Sequence, residues 1–341
     1  MIKKKPEPLL NKLRIIELFE GDYVAVVKGL MRQLMYHLSV NNETDVGNFA
    51  TEKGGFTHQA IYSRVWAYDI ARICRESIAT LDNDSVGCYD RMVPGLLSLL
   101  LRRVGFPENL TKTFITQLLQ RQRRVQTAYG LSDVMSTIKG EYIGGIGQGN
   151  PGGLTCYHLQ LLVLLKSISA MTTGYRVSDP SGVIEYMQHV ASYVDDCNSL
   201  INVLRSERHL SPEHKLDRLH QRAQAILNTW VELLRSTGGE ISIEKSFLTT
   251  CARWESKRGK LIPKLPTIPR DIRVNDQPYP LRPPTTCERY SGVRVGISGE
   301  MDEEYKFRLA QSRQFASAIS SIHDRHEAAI AYRTYYLPML C

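Results

Sequence analysis

Two short apolar runs, His189 to Tyr193 and Cys197 to Val203, stand on either side of Val194-Asp195-Asp196. No other feature constrains the fold as much, because the pattern is that of a tight β-hairpin with carboxylates at its tip. Adjacent carboxylates repel, so a pair flanked by buried strands needs either full exposure or a compensating cation. Most Asp-Asp pairs in turns are ordinary solvated turn chemistry. Here a second strand changes the balance. Ile78 to Leu81 reads as a short buried strand running into Asp82-Asn83-Asp84, and Asp84 at its end can lie beside the same tip. Asp84, Asp195 and Asp196 would then bring three carboxylates within reach of hard divalent ions such as Mg²⁺. Two such ions, about 3.5–4 Å apart, stabilise both the attacking and the leaving oxygen of an in-line phosphoryl displacement.

Around these strands the pattern is mostly helical. After a basic start containing Pro6 and Pro8, Tyr23 to Leu38 and Ile61 to Ile73 carry apolar residues at helical spacing, broken by Gly54-Gly55. Pro94 sits where a helix can begin, and a second helical stretch follows Gly105-Phe106-Pro107 as far as the basic cluster Arg121, Arg123 and Arg124. Two short strands are expected over Val125 to Tyr129 and Tyr142 to Ile146, then a helix over about Leu154 to Ala170. Ser211-Pro212 is an N-cap with proline at the first helical position; Leu216, Leu219, Ala223, Ile226 and Trp230 mark one face of that helix, and Gly238-Gly239 ends it. Ile241 to Leu248 reads as a strand around Lys245. Residues 252 to 286, rich in Pro and Lys/Arg, read as a connecting loop, and Glu303 to Tyr336 as helix. The order contains a split βαβ core, an antiparallel sheet backed by helices. There is no internal repeat.

With 341 residues the chain exceeds one ordinary hydrophobic core, and 43% hydrophobic with 23% charged residues exclude global disorder. The formal charge of +8 suits a polyanionic partner, although solvated surface charge produces the same balance. Seven scattered cysteines without a C-x-x-C pair point to reduced thiols inside the cell, with cytoplasm and nucleus left open. No apolar stretch follows the basic start as a secretory signal requires. Leu159 to Leu165, closed by Lys166, is too short for a bilayer span, so no membrane partner is expected.

Asp84-Ser85-Val86-Gly87-Cys88-Tyr89-Asp90 resembles motif A of reverse transcriptases, Gly145-Ile146-Gly147-Gln148-Gly149 resembles motif B, and Tyr193-Val194-Asp195-Asp196 resembles motif C. Arg14 to Leu18 looks like the fingers motif before A, Gly238 to Lys245 like motif D, and Tyr290-Ser291-Gly292-Val293 like motif E. The resemblance spans residues from about 12 to 296, and its flavour is that of non-LTR or group II-like retroelement enzymes.

This resemblance implies an α+β right-hand polymerase fold with fingers and a ferredoxin-like palm. Fingers would occupy residues 1–76 and palm 77–120, with a hairpin over 121–147 and the remaining palm over 148–250. A connecting loop and primer-grip region would follow over 251–300, then the start of a truncated thumb over 301–341. Asp84, Asp195 and Asp196 would hold two Mg²⁺ ions, Mn²⁺ being an alternative. Lys245 would protonate leaving pyrophosphate, or serve only as a strand-edge lysine. Lys12 and Arg14 would neutralise a dNTP triphosphate, Tyr89 would exclude a 2′-hydroxyl, and Gln148-Gly149 would lie against the nucleotide. Tyr290 and Gly292 would grip the primer. Arg121, Arg123 and Arg124 would contact phosphates of an RNA–DNA hybrid, or form a solvated helix end. The implied partners are RNA template, DNA primer and dNTPs; oligomeric state is open. After Gly149, Asn150-Pro151-Gly152-Gly153 departs from the usual continuation and puts the start of the next helix in question. An RNA-dependent RNA polymerase, which normally has Gly before the motif C acid pair, and a catalytically inert nucleic-acid-binding fragment are the rival readings.

Overall fold

The computed structural model describes residues 2–3, 13–14, 17–44, 47–50, 57–127, 129–136, 144–178, 181, 183, 185–194, 196–264, 271–322 and 324–332. The helices are α1 (Gly21–Val40), α2 (Thr57–Ile73), α3 (Pro94–Arg103), α4 (Glu108–Leu119), α5 (Gly153–Met171), α6 (Pro212–Ser236), α7 (Asp302–Ser320) and α8 (Arg325–Ala331). Five strands, β1 (Ile78–Asn83), β2 (Ala191–Tyr193), β3 (Asp196–Asn202), β4 (Phe247–Cys251) and β5 (Leu281–Arg282), form one sheet in the order β2-β3-β1-β4-β5.

Every residue of central β1 is buried, because helices cover both sides of the sheet. Alternation along the strand sorts its side chains. Ala79 and Leu81, with Ile201 and Leu248 from the neighbouring strands, join the core built on α5 and α6. Ile78, with Leu200 and Cys251, faces α2, where Ala60, Ala67 and Ala71 allow close approach. Asp82 and Asp84 belong to the second face by the same period.

Helices α3 and α6 begin where their sequence signals stand, whereas the helix expected over Glu303 to Tyr336 is two, α7 ending at Ser320 and α8 starting at Arg325 under an Asp324 cap. Pro94 opens α3 and Pro212 opens α6, whose Ser211 side chain accepts a hydrogen bond from the His214 amide at 3.3 Å. The Asn150-Pro151-Gly152 departure is a turn of its own: Asn150 Oδ1 accepts from the Gly152 amide at 2.8 Å, and α5 starts normally at Gly153. Helix α5 corrects one expectation. By length and composition it is apolar enough to cross a membrane, yet most of its residues are buried inside the fold.

Further corrections concern strands. The sheet is mixed rather than antiparallel, since β5 pairs parallel to β4 through Leu248↔Leu281. Residues 243–245 form a 3₁₀ turn and the strand begins only at Phe247. Gln126–Thr127 pairs with Gly130–Leu131 in a tight hairpin, and described residues 144–149 form turns rather than a strand. The 252–286 region is not a plain loop: Arg253–Lys257 and Lys260–Lys264 pair as a hairpin, and β5 closes the sheet.

Candidate active site

The register of β1 against β3 pairs Asn83 with Cys197 and Asp82 with Asn198. Continued by one residue, it sets Asp84 opposite Asp196 at the end of the sheet. Both line a cleft of about 190 Å³ with Asp82, Lys245 and Tyr290. Asp195 lies outside the described residues. The two-residue turn between paired Tyr193 and Asp196 holds Val194 at φ +57°. A β-branched residue in that left-handed region costs on the order of 1–3 kcal/mol, and such outliers cluster at functional sites.

Lys245 reaches this cleft because its 3₁₀ turn is pinned to the Asp84 strand end. The Ser242 amide donates to the Asp84 carbonyl at 2.8 Å, the Asp84 amide to Ser246 Oγ at 3.0 Å, and the Val86 amide to the Glu240 carbonyl at 2.8 Å. Lys245 Nζ then stands 2.5 Å from Asp84 Oδ2. The lysine side chain is 68% exposed and the aspartate 20%, so solvent screens this pair and its worth is in placement rather than stability.

A second cleft, of about 630 Å³, opens beside the first and is lined by Tyr89, Gln148, Tyr193, Asp196, Arg289 and Gly292, among others. Tyr89 packs its ring on Tyr157 of α5, centroids 5.7 Å apart. Gln148 rides on the glycine loop, which lies on the Asp84–Asp90 segment: the Ile146 amide donates to the Tyr89 carbonyl at 2.8 Å. From below, Glu17 fixes the loop, its amide donating to the Gln148 carbonyl at 2.7 Å. Gly147 has φ +80°, and a Cβ there would lie 2.3 Å from Glu17 Oε2.

Two of the three clustered arginines, Arg121 and Arg123, depart from the expectation. Arg121 has only 9% of its side chain exposed; its guanidinium donates to Glu17 Oε2 at 2.8 Å, the Gly145 carbonyl at 2.6 Å and the Ile146 carbonyl at 2.9 Å. Burial lowers its pKa, with the Glu17 carboxylate opposing. Arg123 pairs with the other Glu17 oxygen. These two arginines are thus turned inward onto the glycine loop, and of the three only Arg124 is exposed. Arg121 cannot meet a phosphate without giving up the loop.

Tyr290 and Gly292 also part company. They belong to the hairpin Glu288–Tyr290 and Val293–Val295, whose turn residues Ser291 and Gly292 both have positive φ. Gly292 and Arg289 face the larger cleft, whereas Tyr290 is 4% exposed and packs inward. Lys12 lies outside the described residues, and of Arg14 only the backbone is described, in a two-residue pairing with Ile2–Lys3.

Three residues of the site escaped the sequence reading: Glu17, Arg64 and Asp82. Arg64 on α2 forks onto Asp82, Nη1 to Oδ1 at 2.5 Å and Nη2 to Oδ2 at 2.9 Å, beneath the Asp84 strand end. Burial opposes the charge on Arg64, but Asp82 outweighs it and raises the pKa. Asp82 is thereby occupied as an acceptor. Asp84 and Asp196 offer the hard oxygen donors that suit Mg²⁺, while among the described residues no group of three His, Cys, Asp or Glu is arranged to hold a metal.

No protein-family model matches the chain, and no curated protein is similar to it in sequence. Among solved structures it is similar to telomerase from Candida albicans in complex with a fragment of telomeric RNA, at 11% identity and TM-score 0.45 over 93% of this chain and 48% of that one. It is also similar to telomerase from Candida tropicalis, with an RNA fragment (10%, TM-score 0.47, 88% and 43%) and in the apo form (9%, TM-score 0.49, 93% and 44%). The chain spans less than half the length of each of these proteins, and all three TM-scores fall below 0.5.

Proposed function

We propose that this chain is an RNA-directed DNA polymerase of the retroelement kind, with a right-hand polymerase architecture. The observation that carries the reading is the register that sets Asp84 against Asp196 in a cleft continuous with Tyr89 and Gln148. Asp84 and Asp196, together with Asp195, would hold two Mg²⁺ ions, or Mn²⁺ in their place. When bound, the metals supply positive charge to the primer 3′-oxygen and to the departing pyrophosphate.

The remaining chemistry belongs to the chain. Tyr89, braced by Tyr157, walls the sugar and rejects a 2′-hydroxyl by steric exclusion. Gln148 orients the incoming dNTP against the RNA template, while Lys12 and Arg14 neutralise its triphosphate. Lys245 leaves Asp84 and gives a proton to pyrophosphate as it departs. The turn at Gly292 receives the DNA primer, and the basic charge balance holds the RNA–DNA hybrid.

Extension of a DNA primer on an RNA template with Mg²⁺ and dNTPs tests this. Wild type should incorporate dNTPs and discriminate against NTPs. Asp84→Asn and Asp195→Asn should each lower the rate by roughly 10³-fold, the several kcal/mol that metal-borne charge supplies. Equal use of NTPs points instead to an RNA polymerase, and binding of the hybrid without extension to an inert nucleic-acid-binding module.

A further inference from the structure

We propose that Arg64 is a positioning residue that holds Tyr290, and with it the 288–295 hairpin, against the carboxylate cleft; the part concerning primer rests on the polymerase reading above. Arg64 is 2% exposed. Besides the fork onto Asp82, its Nε donates to the Tyr68 hydroxyl at 2.8 Å, and that hydroxyl lies 2.9 Å from Thr80 Oγ1 on β1. The guanidinium carbon stands 4.7 Å from the centre of the Tyr290 ring. One cation therefore ties together α2, the strand that ends in Asp84, and the hairpin that faces the larger cleft.

An ion pair at this depth is a poor means of stabilisation, since apolar residues of similar volume serve as well or better. What it supplies is direction. The planar fork fixes the guanidinium on Asp82, and its free face is thereby presented to an aromatic ring. A desolvated cation under a ring is a stronger contact than one in water. Asp82 and Asp84 share a strand face, so the ring is referenced to the strand that ends in Asp84.

The Tyr290 hydroxyl supplies a second observation. It is buried, has no hydrogen-bond partner among the described residues, and belongs to a side chain lining the 190 Å³ cleft beside Asp84, Asp196 and Lys245. A buried hydroxyl left without a partner carries a desolvation cost, which an oxygen of a group entering the cleft that this side chain lines would relieve. Arg64 sets the height at which that hydroxyl stands.

The test uses the full chain and the variants R64M/D82L, R64K and Y290L. R64M/D82L removes both charges together, so that neither is left buried alone. Hydrogen–deuterium exchange of residues 288–295, without substrate, should rise about tenfold or more, the ratio that corresponds to losing a desolvated cation–π contact. The KM for primer–template should rise by about the same factor. R64K, which keeps the charge and loses the fork, should fall between the two.

Unchanged exchange and unchanged KM in folded R64M/D82L would overturn the proposal and reduce the pair to packing. If that variant does not fold, Y290L decides, because it removes the ring and leaves the ion pair: faster hairpin exchange supports the proposal, and wild-type exchange overturns it. A wild type that incorporates no dNTP removes the polymerase reading, while the exchange data still judge Arg64 by themselves.

Discussion

Gly147 concentrates the constraints on the glycine loop in one atom that is missing. Its φ of +80° already disfavours a side chain, and the space a Cβ would need is taken by a Glu17 carboxylate that Arg121 and Arg123 hold in place. Gly147→Ala should therefore lower stability by about 2 kcal/mol, measured by denaturant unfolding. In the Glu17→Ala background the same change should cost less, by roughly 1 kcal/mol, and strict additivity would show that strain at φ alone is responsible. The crowding of glycines at 144–149 is plain in the sequence, and so are the carboxylates at 84 and 196. Glu17 was hidden because nothing local marks a partner of Arg121 that lies 104 residues away. A run of arginines looks the same whether it faces phosphate, solvent or a buried carboxylate, so the sequence does not point Arg121 to Glu17.

Helix α5 and strand β2 are joined by a pair that responds to acid. Asn48 Nδ2 donates to His158 Nδ1 at 2.7 Å, and the Asn48 segment lies along β2, its neighbour Phe49 donating an amide to the Ser192 carbonyl at 3.0 Å. Burial lowers the His158 pKa to about 4, so the folded protein keeps the imidazole neutral where the unfolded chain would protonate it. Because the folded pKa is depressed, stability should be full above about pH 6.5 and fall as pH drops towards 4, by roughly 3 kcal/mol at most. His158→Gln, which keeps an acceptor for Asn48, should flatten that part of the pH–stability curve; an unaltered slope would assign the acid sensitivity elsewhere. Elements with strong period or punctuation, such as α1, α2, α6 and the β2–β3 hairpin, were legible from sequence. Strand β4 was displaced by a few residues because its Thr249 and Thr250 are polar yet buried. The 253–264 hairpin looked like loop because its exposed Lys and Arg and its proline obey edge-strand chemistry rather than apolar alternation.

On the scale of the whole molecule, the surplus of 43 Lys and Arg over 35 Asp and Glu sets how a nucleic acid would be held. Affinity for an RNA–DNA hybrid should fall steeply with salt, and Arg289→Ala, at the wall of the larger cleft, should reduce the slope of log K against log salt by about 1. An unchanged slope would take Arg289 off the path of the duplex. Charge balance and an α+β class were readable from composition and pattern, whereas strand order was not, because register between distant segments leaves no local trace. That order also governs assembly in time. Strand β1 lies between β3 and β4, partners that are far along the chain, and β5 docks later still. A growing polypeptide halted before residue 247 would carry Asp84 and Asp196 with β1 unpaired along one side, so the ribosome must deliver most of the chain before the cleft can exist, and shorter products should be catalytically silent.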